Sequence, residues 1–178
     1  MKKALVIVAH PDDEIIWMGG KIIHEKEWDW TVLSLCRRDD ADRKPRFFRV
    51  CELLNARGFI SDLEDEHPED DLPGLEEVVE RIEPIGHDKA YDVVFTHNSN
   101  GEYGHKRHIE THRAVVMMSK EGLLSAKEAF CFDYLGKEGP FRAEPNPNGR
   151  ILFRLSREEH EMKRHLIRDV YGFSESSF

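Results

Sequence analysis

The chain has 178 residues, with 26 basic and 35 acidic side chains and a formal net charge of −9. That length suits a single domain, residues 1–178, with a core that needs no disulfide staples. The acidic balance excludes nucleic acid as a general partner, because phosphate-backbone binding needs a basic face; 39% hydrophobic residues with 10% aromatics exclude a disordered chain.

Three widely spaced cysteines, Cys36, Cys51 and Cys131, form no CxxC pair, and they read as reduced thiols. Two lysines before a short apolar run resemble the start of a signal peptide. However, His10-Pro11-Asp12-Asp13-Glu14 stands where a small-residue cleavage site would follow. No stretch approaches the ~20 apolar residues of a membrane span. The expectation is a cytoplasmic protein with no membrane span.

Along the chain, the continuous apolar run Ala4–Ala9 predicts a strand buried on both faces. Ile15, Ile16, Met18, Ile22 and Ile23 predict a helix from Asp13 to about Lys26, and Thr31–Leu35 a second strand. Phe47, Val50, Cys51 and Leu54 repeat at helical spacing up to Gly58, and Leu75, Val78, Val79 and Ile82 do so before Pro84. Residues 61–77, dense in acids, read as a solvated loop. A strong strand is expected at Tyr91–Thr96 and a helix from His105 to about Lys120. Further strands are expected at Ala129–Tyr134 and Ile151–Leu155, a loop at Gly136–Gly149, and a closing helix over Glu158–Tyr171. Strands alternating with helices imply an α/β fold: three layers, Rossmann-like, with a mainly parallel sheet covered by helices on both faces.

Ligands of an open α/β sheet gather beyond the carboxyl ends of its strands. His10-Pro11-Asp12-Asp13-Glu14 falls there, where the first strand turns into the first helix. Three adjacent acids repel one another, a conflict that a bound cation would remove; the bland alternative is a polar helix start favoured by the helix dipole. A second cluster, Thr96-His97-Asn98 and Gly101-Glu102-Tyr103-Gly104-His105-x-x-His108, follows a strand that reaches the same edge. His105 and His108, three apart, share one helical face. His108-Ile109-Glu110-Thr111-His112 has zincin histidine spacing, but its acid at 110 fits neither the zincin nor the inverted motif. A dinucleotide fold would need a Gly-x-Gly-x-x-Gly turn where the acids stand.

Ala9-His10-Pro11-Asp12-Asp13-Glu14 with Gly104-His105-x-x-His108 resembles the PIG-L/LmbE-like family of zinc-dependent N-acetylglucosaminyl deacetylases. Gly19-Gly20 and an Arg49-x-x-Glu52 helix support the likeness, which covers roughly residues 3 to 120. The resemblance implies that His10, Asp13 and His108 bind Zn2+ or another divalent transition metal. It implies Asp12 as general base, His105 as acid or oxyanion stabiliser, and Tyr103 beside the substrate carbonyl. Arg49 and Asp71 would contact the substrate, a small N-acetylated amino sugar or sugar conjugate. Two histidines and a carboxylate leave an open coordination position, as a catalytic zinc site requires.

Lys106-Arg107 replaces a common Pro-Asp between the two histidines and is expected to make the rim more positive. Arg37, Arg38, Arg43, Lys44, Arg46 and Arg49 form a basic cluster that reads either as solvated ion pairs or as a site for an anionic group on the substrate. Trp17, Trp28 and Trp30 read as packing residues rather than sugar platforms. The compact chain implies either an open pocket or one completed by a second copy in a homo-oligomer. Two other readings stand beside the deacetylase: an amidase cleaving a larger acyl group with the same residues, and a non-catalytic ligand-binding relative.

Overall fold

The computed structural model describes residues 1–86, 90–138 and 142–174. Five strands build the main sheet: β1 (Lys3–Val8), β2 (Asp29–Cys36), β3 (Arg57–Leu63), β4 (Tyr91–Thr96) and β5 (Ala126–Cys131). They lie in the order β3-β2-β1-β4-β5, and every pairing is parallel. The alternation of β1 explains its unbroken apolar run. Ala4, Val6 and Val8 face one core with Ile15, Ile22, Phe47, Val50 and Leu166, whereas Leu5 and Ile7 face another with Val78, Ile82, Val115 and Met118. Helices α1 (Asp13–Ile16), α2 (Gly19–His24), α3 (Arg43–Leu53) and α7 (Arg157–His165) lie on the first side. Helices α4 (Glu76–Gly86) and α6 (Lys106–Glu121) lie on the second. This is the expected three-layer α/β architecture. Among the described residues, no helix is long and apolar enough to cross a membrane.

The chain order reverses at β1, which has β2 on one side and β4 on the other, so the turns after β1 and β4 open onto one crevice. Register puts Ile7 opposite Thr96, leaving His10 and His97 just beyond neighbouring strand ends.

Several elements differ from expectation. The first helix is two helices broken at Trp17-Met18. β3 begins at Gly58's neighbour Arg57, where the sequence offered only a helix stop and an acidic loop; its half-buried residues carry little apolar alternation. Helix α4 runs past Pro84, which lacks the N–H to bond the preceding turn, and ends two residues later at Gly86. Ala129–Tyr134 divides between β5 and β6 (Tyr134–Gly136), and β6 pairs antiparallel with β7 (Ala143–Pro145) inside the expected loop; residues 139–141 of that loop lie outside the described residues. Ile151–Leu155 forms no strand. Two of its apolar side chains meet α2, Phe153 against His24 and Leu155 at Gly20, while Ile151 and Leu152 are exposed. The closing helix gives way to a π-helical turn at Leu166–Val170.

Candidate metal centre and active site

The turn after β1 is held in an unusual shape. Asp12 has φ 121° and ψ −29°, a region that side chains rarely occupy and that tends to persist where surrounding bonds enforce it. Here Glu14 enforces it: its Oε2 accepts the Asp12 backbone N–H at 2.9 Å, and its Oε1 accepts the Tyr171 hydroxyl at 2.6 Å. Glu14 is fully buried, and burial raises its carboxyl to a pKa of about 7. The second strained turn, α5 (Gly101–Gly104), follows β4; Glu102 has φ 59° and is also buried.

These two turns bring His10, Asp13 and His108 together. His10 Nδ1 lies 3.2 Å from Asp13 Oδ2, His108 Nε2 lies 3.3 Å from the same oxygen, and the two ring nitrogens are 3.4 Å apart. A tetrahedral ion with ~2.0–2.1 Å bonds separates its ligands by about 3.3 Å, so the three atoms fit one face of such a site. Their outer atoms are bound in the matching sense. His10 Nε2 lies 3.1 Å from Asp65 Oδ1, and His108 Nδ1 lies 2.7 Å from Glu102 Oε2. With an ion in place, each imidazole would give its outer N–H to a carboxylate and turn a lone pair inward, the arrangement that orients histidine ligands. Asp13 Oδ1 accepts the Trp17 indole N–H at 2.8 Å, leaving Oδ2 for the cluster.

His97 has a supporting place. The Ala9 backbone N–H donates to its Nε2 at 3.0 Å, so that nitrogen carries a lone pair and Nδ1–H donates to Glu102 at 2.8 Å. Glu102 thus holds His97 and His108 with one oxygen and the Asn98 backbone N–H with the other. Burial alone would raise the Asp13 carboxyl, but His108 and His97 hold it well below the usual range. For His10, burial acts downward, and hydrogen bonds to Asp13 and Asp65 carry its pKa up to about 10. The field of the cluster therefore favours a cation between these groups.

Asp12 stands beside the cluster. Its Oδ2 accepts Arg43 Nη1 at 2.7 Å, while burial, then the charge of Asp13, lifts its carboxyl well above the ordinary value. The His105 ring sits 4.7 Å from His10 and 4.6 Å from His108, centre to centre. Its buried Nδ1 has no hydrogen-bond partner among the described residues. Burial, with His10 and His108 adjacent, depresses His105 to about 3, which makes it a neutral hydrogen-bonding group rather than a proton-bearing cation. Burial also raises the Tyr103 phenol, which stays protonated. All of these open onto a cavity of about 1630 Å³ lined by His10, Asp12, Asp13, Tyr103 and His105, and also by Arg37, Arg43, Trp17 and Lys163.

A family model described as GlcNAc-PI de-N-acetylase matches residues 5–119. The chain belongs to the PIG-L family. It is 26% identical, over 152 residues, to a 1D-myo-inositol 2-acetamido-2-deoxy-alpha-D-glucopyranoside deacetylase of Corynebacterium diphtheriae, covering 62% of this chain and 50% of that one. The chain spans about half the length of the curated relatives it matches. In fold it is similar to the N,N'-diacetylchitobiose deacetylase of Pyrococcus horikoshii (TM-score 0.64, 18% identity, 99% of this chain and 72% of that one). It is equally similar to the 4-carboxy-2-hydroxymuconate hydratase GalB of Pseudomonas putida (TM-score 0.62, 18% identity, 99% and 80%). One frame thus serves different chemistries, and the residues of the site decide which one it performs.

Of the residues expected at the PIG-L site, six converge: His10, Asp12, Asp13, Tyr103, His105 and His108. The other two lie elsewhere. Arg49 is solvent-facing and paired with Glu52 at 2.6 Å; Asp71 is exposed and paired with Lys106 at 3.1 Å. Neither lines the cavity. The expected positive rim at Lys106-Arg107 is corrected: Arg107 is 1% exposed and binds Glu64, Glu110 and the carbonyls of Glu64, His67 and Asp70. It ties down the acidic segment, which is accordingly less solvated than its composition suggested. Asp65, Glu102 and Trp17 were not singled out as functional from sequence. Glu102 stood inside the Gly-Glu-Tyr-Gly-His motif, the one local signal available.

Proposed function

We propose that the protein is a metal-dependent hydrolase that removes the acetyl group from an N-acetylated amino sugar or sugar conjugate. The observation that carries this reading is the 3.2–3.4 Å triangle of His10, Asp13 and His108 with Asp12 next to it on an open cavity. His10, Asp13 and His108 would hold the ion, zinc being the divalent metal that best suits two imidazoles and one carboxylate with an open position. Such an ion supplies Lewis acidity and a water ionised near neutral pH.

The chain's own residues do the rest. Asp12 accepts the proton of the attacking water, and Arg43 holds that carboxylate in place. Tyr103 and neutral His105 donate hydrogen bonds to the oxygen that gains charge as the amide carbonyl becomes tetrahedral. Asp12 then returns its proton to the departing amine. The cavity exceeds the usual ~300–1,000 Å³ of a small-molecule site, which favours a conjugate over a free monosaccharide. The same size is the specific support for the second reading, cleavage of a larger acyl group by these residues. Three free cysteines accord with a cytoplasmic setting, and we read residues 1–178 as one deacetylase domain.

The test is acetate release by the zinc-loaded protein from N-acetylated sugars, phosphosugars and sugar conjugates, with Asp12→Asn as the control. Turnover is expected to fall by ~10²–10⁴ in Asp12→Asn while bound metal stays stoichiometric. Equal turnover in parent and variant would remove Asp12 from the reaction. Silence of the metal-loaded parent on acetylated substrates, with release of a longer acyl chain, would establish the second reading instead.

A further inference from the structure

Three of the five cations that line the cavity are matched. Arg37 forks onto Asp65 with Nε at 2.7 Å and Nη2 at 2.6 Å, Arg43 holds Asp12, and Lys137 pairs with Glu144 at 2.9 Å. Among the described residues Arg142 has no ion-pair partner, but it is exposed, and an isolated guanidinium in water costs little.

Lys163 is different. It projects from α7 into the cavity wall, half-buried, and its Nζ donates to the Ile16 carbonyl at 2.7 Å, at the end of α1. Among the described residues no carboxylate lies within ion-pair distance of it, and the Ile16 carbonyl is the only hydrogen-bond acceptor it meets. An ammonium has three N–H donors, so two remain for something in the cavity. Lysines that merely cover apolar surface carry the charged head out to water. Lys163 does the reverse, turning its head to a wall carbonyl. A half-buried cation without a counter-charge is unfavourable, and in agreement burial alone pulls Lys163 down to about 8. Of the acids that line the cavity, Asp13 is committed to the histidines, Asp12 and Asp65 to their arginines and Glu144 to Lys137, while Glu138 is exposed.

We propose that Lys163 is an anion subsite of this cavity, and that the substrate carries a phosphate or carboxylate whose oxygens complete the ammonium's hydrogen bonds. This rests on the deacetylase reading for the word substrate, but not for the subsite itself. A bound anion would remove the cost of the buried charge, and a charge-assisted contact of this kind supports a preference of about tenfold or more. The Ile16 carbonyl fixes the head of the flexible side chain, so the anion is registered against the wall that also carries Asp13.

The experiment separates the two readings by using reaction products as well as substrates. Glucosamine, glucosamine 1-phosphate, glucosamine 6-phosphate and glucosaminuronic acid carry no acetyl group, so their binding to the zinc-loaded protein is measured by calorimetry without turnover. The expected result is that at least one anionic form binds the parent about tenfold more tightly than glucosamine. In Lys163→Met that ratio falls to within about threefold, and in Lys163→Arg it is retained. The phosphate and carboxylate arms identify the anion. Acetate release from the matching N-acetylated compounds is then followed. No release with an intact binding ratio removes the deacetylase reading and leaves the subsite standing. An equal ratio in parent and Lys163→Met, or no preference in the parent, overturns the subsite whatever the turnover. A circular-dichroism melt of each variant checks folding, and Lys163→Arg reads the charge even where methionine perturbs packing.

Discussion

Single residues at this site act in pairs, and the outer member of each pair was the one the sequence concealed. His10, Asp12 and Asp13 are contiguous, so their motif is readable at once, and His108 follows in a second compact motif. Asp65, by contrast, reaches His10 from 55 positions away, out of an acidic stretch in which nothing distinguishes it from its neighbours. Glu102 was visible only as part of a motif, because its task depends on a φ of 59° that aims it at two histidines simultaneously. Glu102→Gln tests that task. The amide keeps the shape but loses the charge: with its oxygen on the two imidazole N–H groups its NH2 faces the Asn98 backbone N–H, and turned the other way it leaves His97 and His108 without their shared acceptor. Zinc affinity, measured by chelator competition, is expected to fall by ~10–100-fold, the usual cost of losing a ligand's supporting carboxylate. An unchanged affinity would mean that Glu102 serves only to shape its own turn.

Secondary-structure elements were legible where burial imposes a period and illegible where hydrogen bonds to side chains do the positioning. β1, β2 and β4 announce themselves through apolar runs, α3 and α4 through apolar stripes at helical spacing, and α6 through its histidines three apart. β3 lies at the sheet edge with half-buried side chains and gave no such signal. The final segment was read as a plain helix, yet its π-helical turn delivers Tyr171 onto Glu14, while Arg46 Nη1 binds the Val170 carbonyl at 2.8 Å and the Arg43 guanidinium lies 4.8 Å over the Phe173 ring. The C-terminal element is thereby joined to both the turn that carries Asp12 and the arginine that holds it. Tyr171→Phe removes one hydroxyl and leaves a buried carboxyl short of a donor. A stability loss of ~1–3 kcal/mol by denaturant melt is expected. If the bond also sets the Asp12 turn, kcat falls with KM and metal content retained; a loss of stability with kcat intact would confine Tyr171 to structure.

At the scale of the whole molecule, the five-stranded order β3-β2-β1-β4-β5 decides where chemistry can occur, since the chain order reverses at β1 and the turns leaving β1 and β4 part there to helices on opposite faces. That much follows from alternating strands and helices, and the sequence placed the two motifs at one edge correctly. It could not show the far wall, where α7 returns to the cavity from the end of the chain and sets Lys163 against Ile16. This long-range packing has a consequence for the stability of the molecule. Burial lowers Lys163 to about 8, below its ordinary 10.5, so the unfolded chain binds more protons than the folded one between those values. Stability contributed by this group must then rise with pH across that window, by up to about 1.4 kcal/mol per pH unit where the difference approaches one proton. Below pH 8 both states are charged, and the folded state carries the full cost of the buried ammonium. Urea melts of the anion-free protein from pH 7 to 10, set against Lys163→Met, isolate the effect from the tyrosines and other lysines that titrate nearby. The methionine variant is expected to be the more stable at pH 7, with its advantage shrinking steadily as the pH approaches 10. A constant difference across the range would mean that Lys163 reaches water in the folded protein, and the same anions that bind the parent should close the gap at pH 7 if they supply the missing counter-charge.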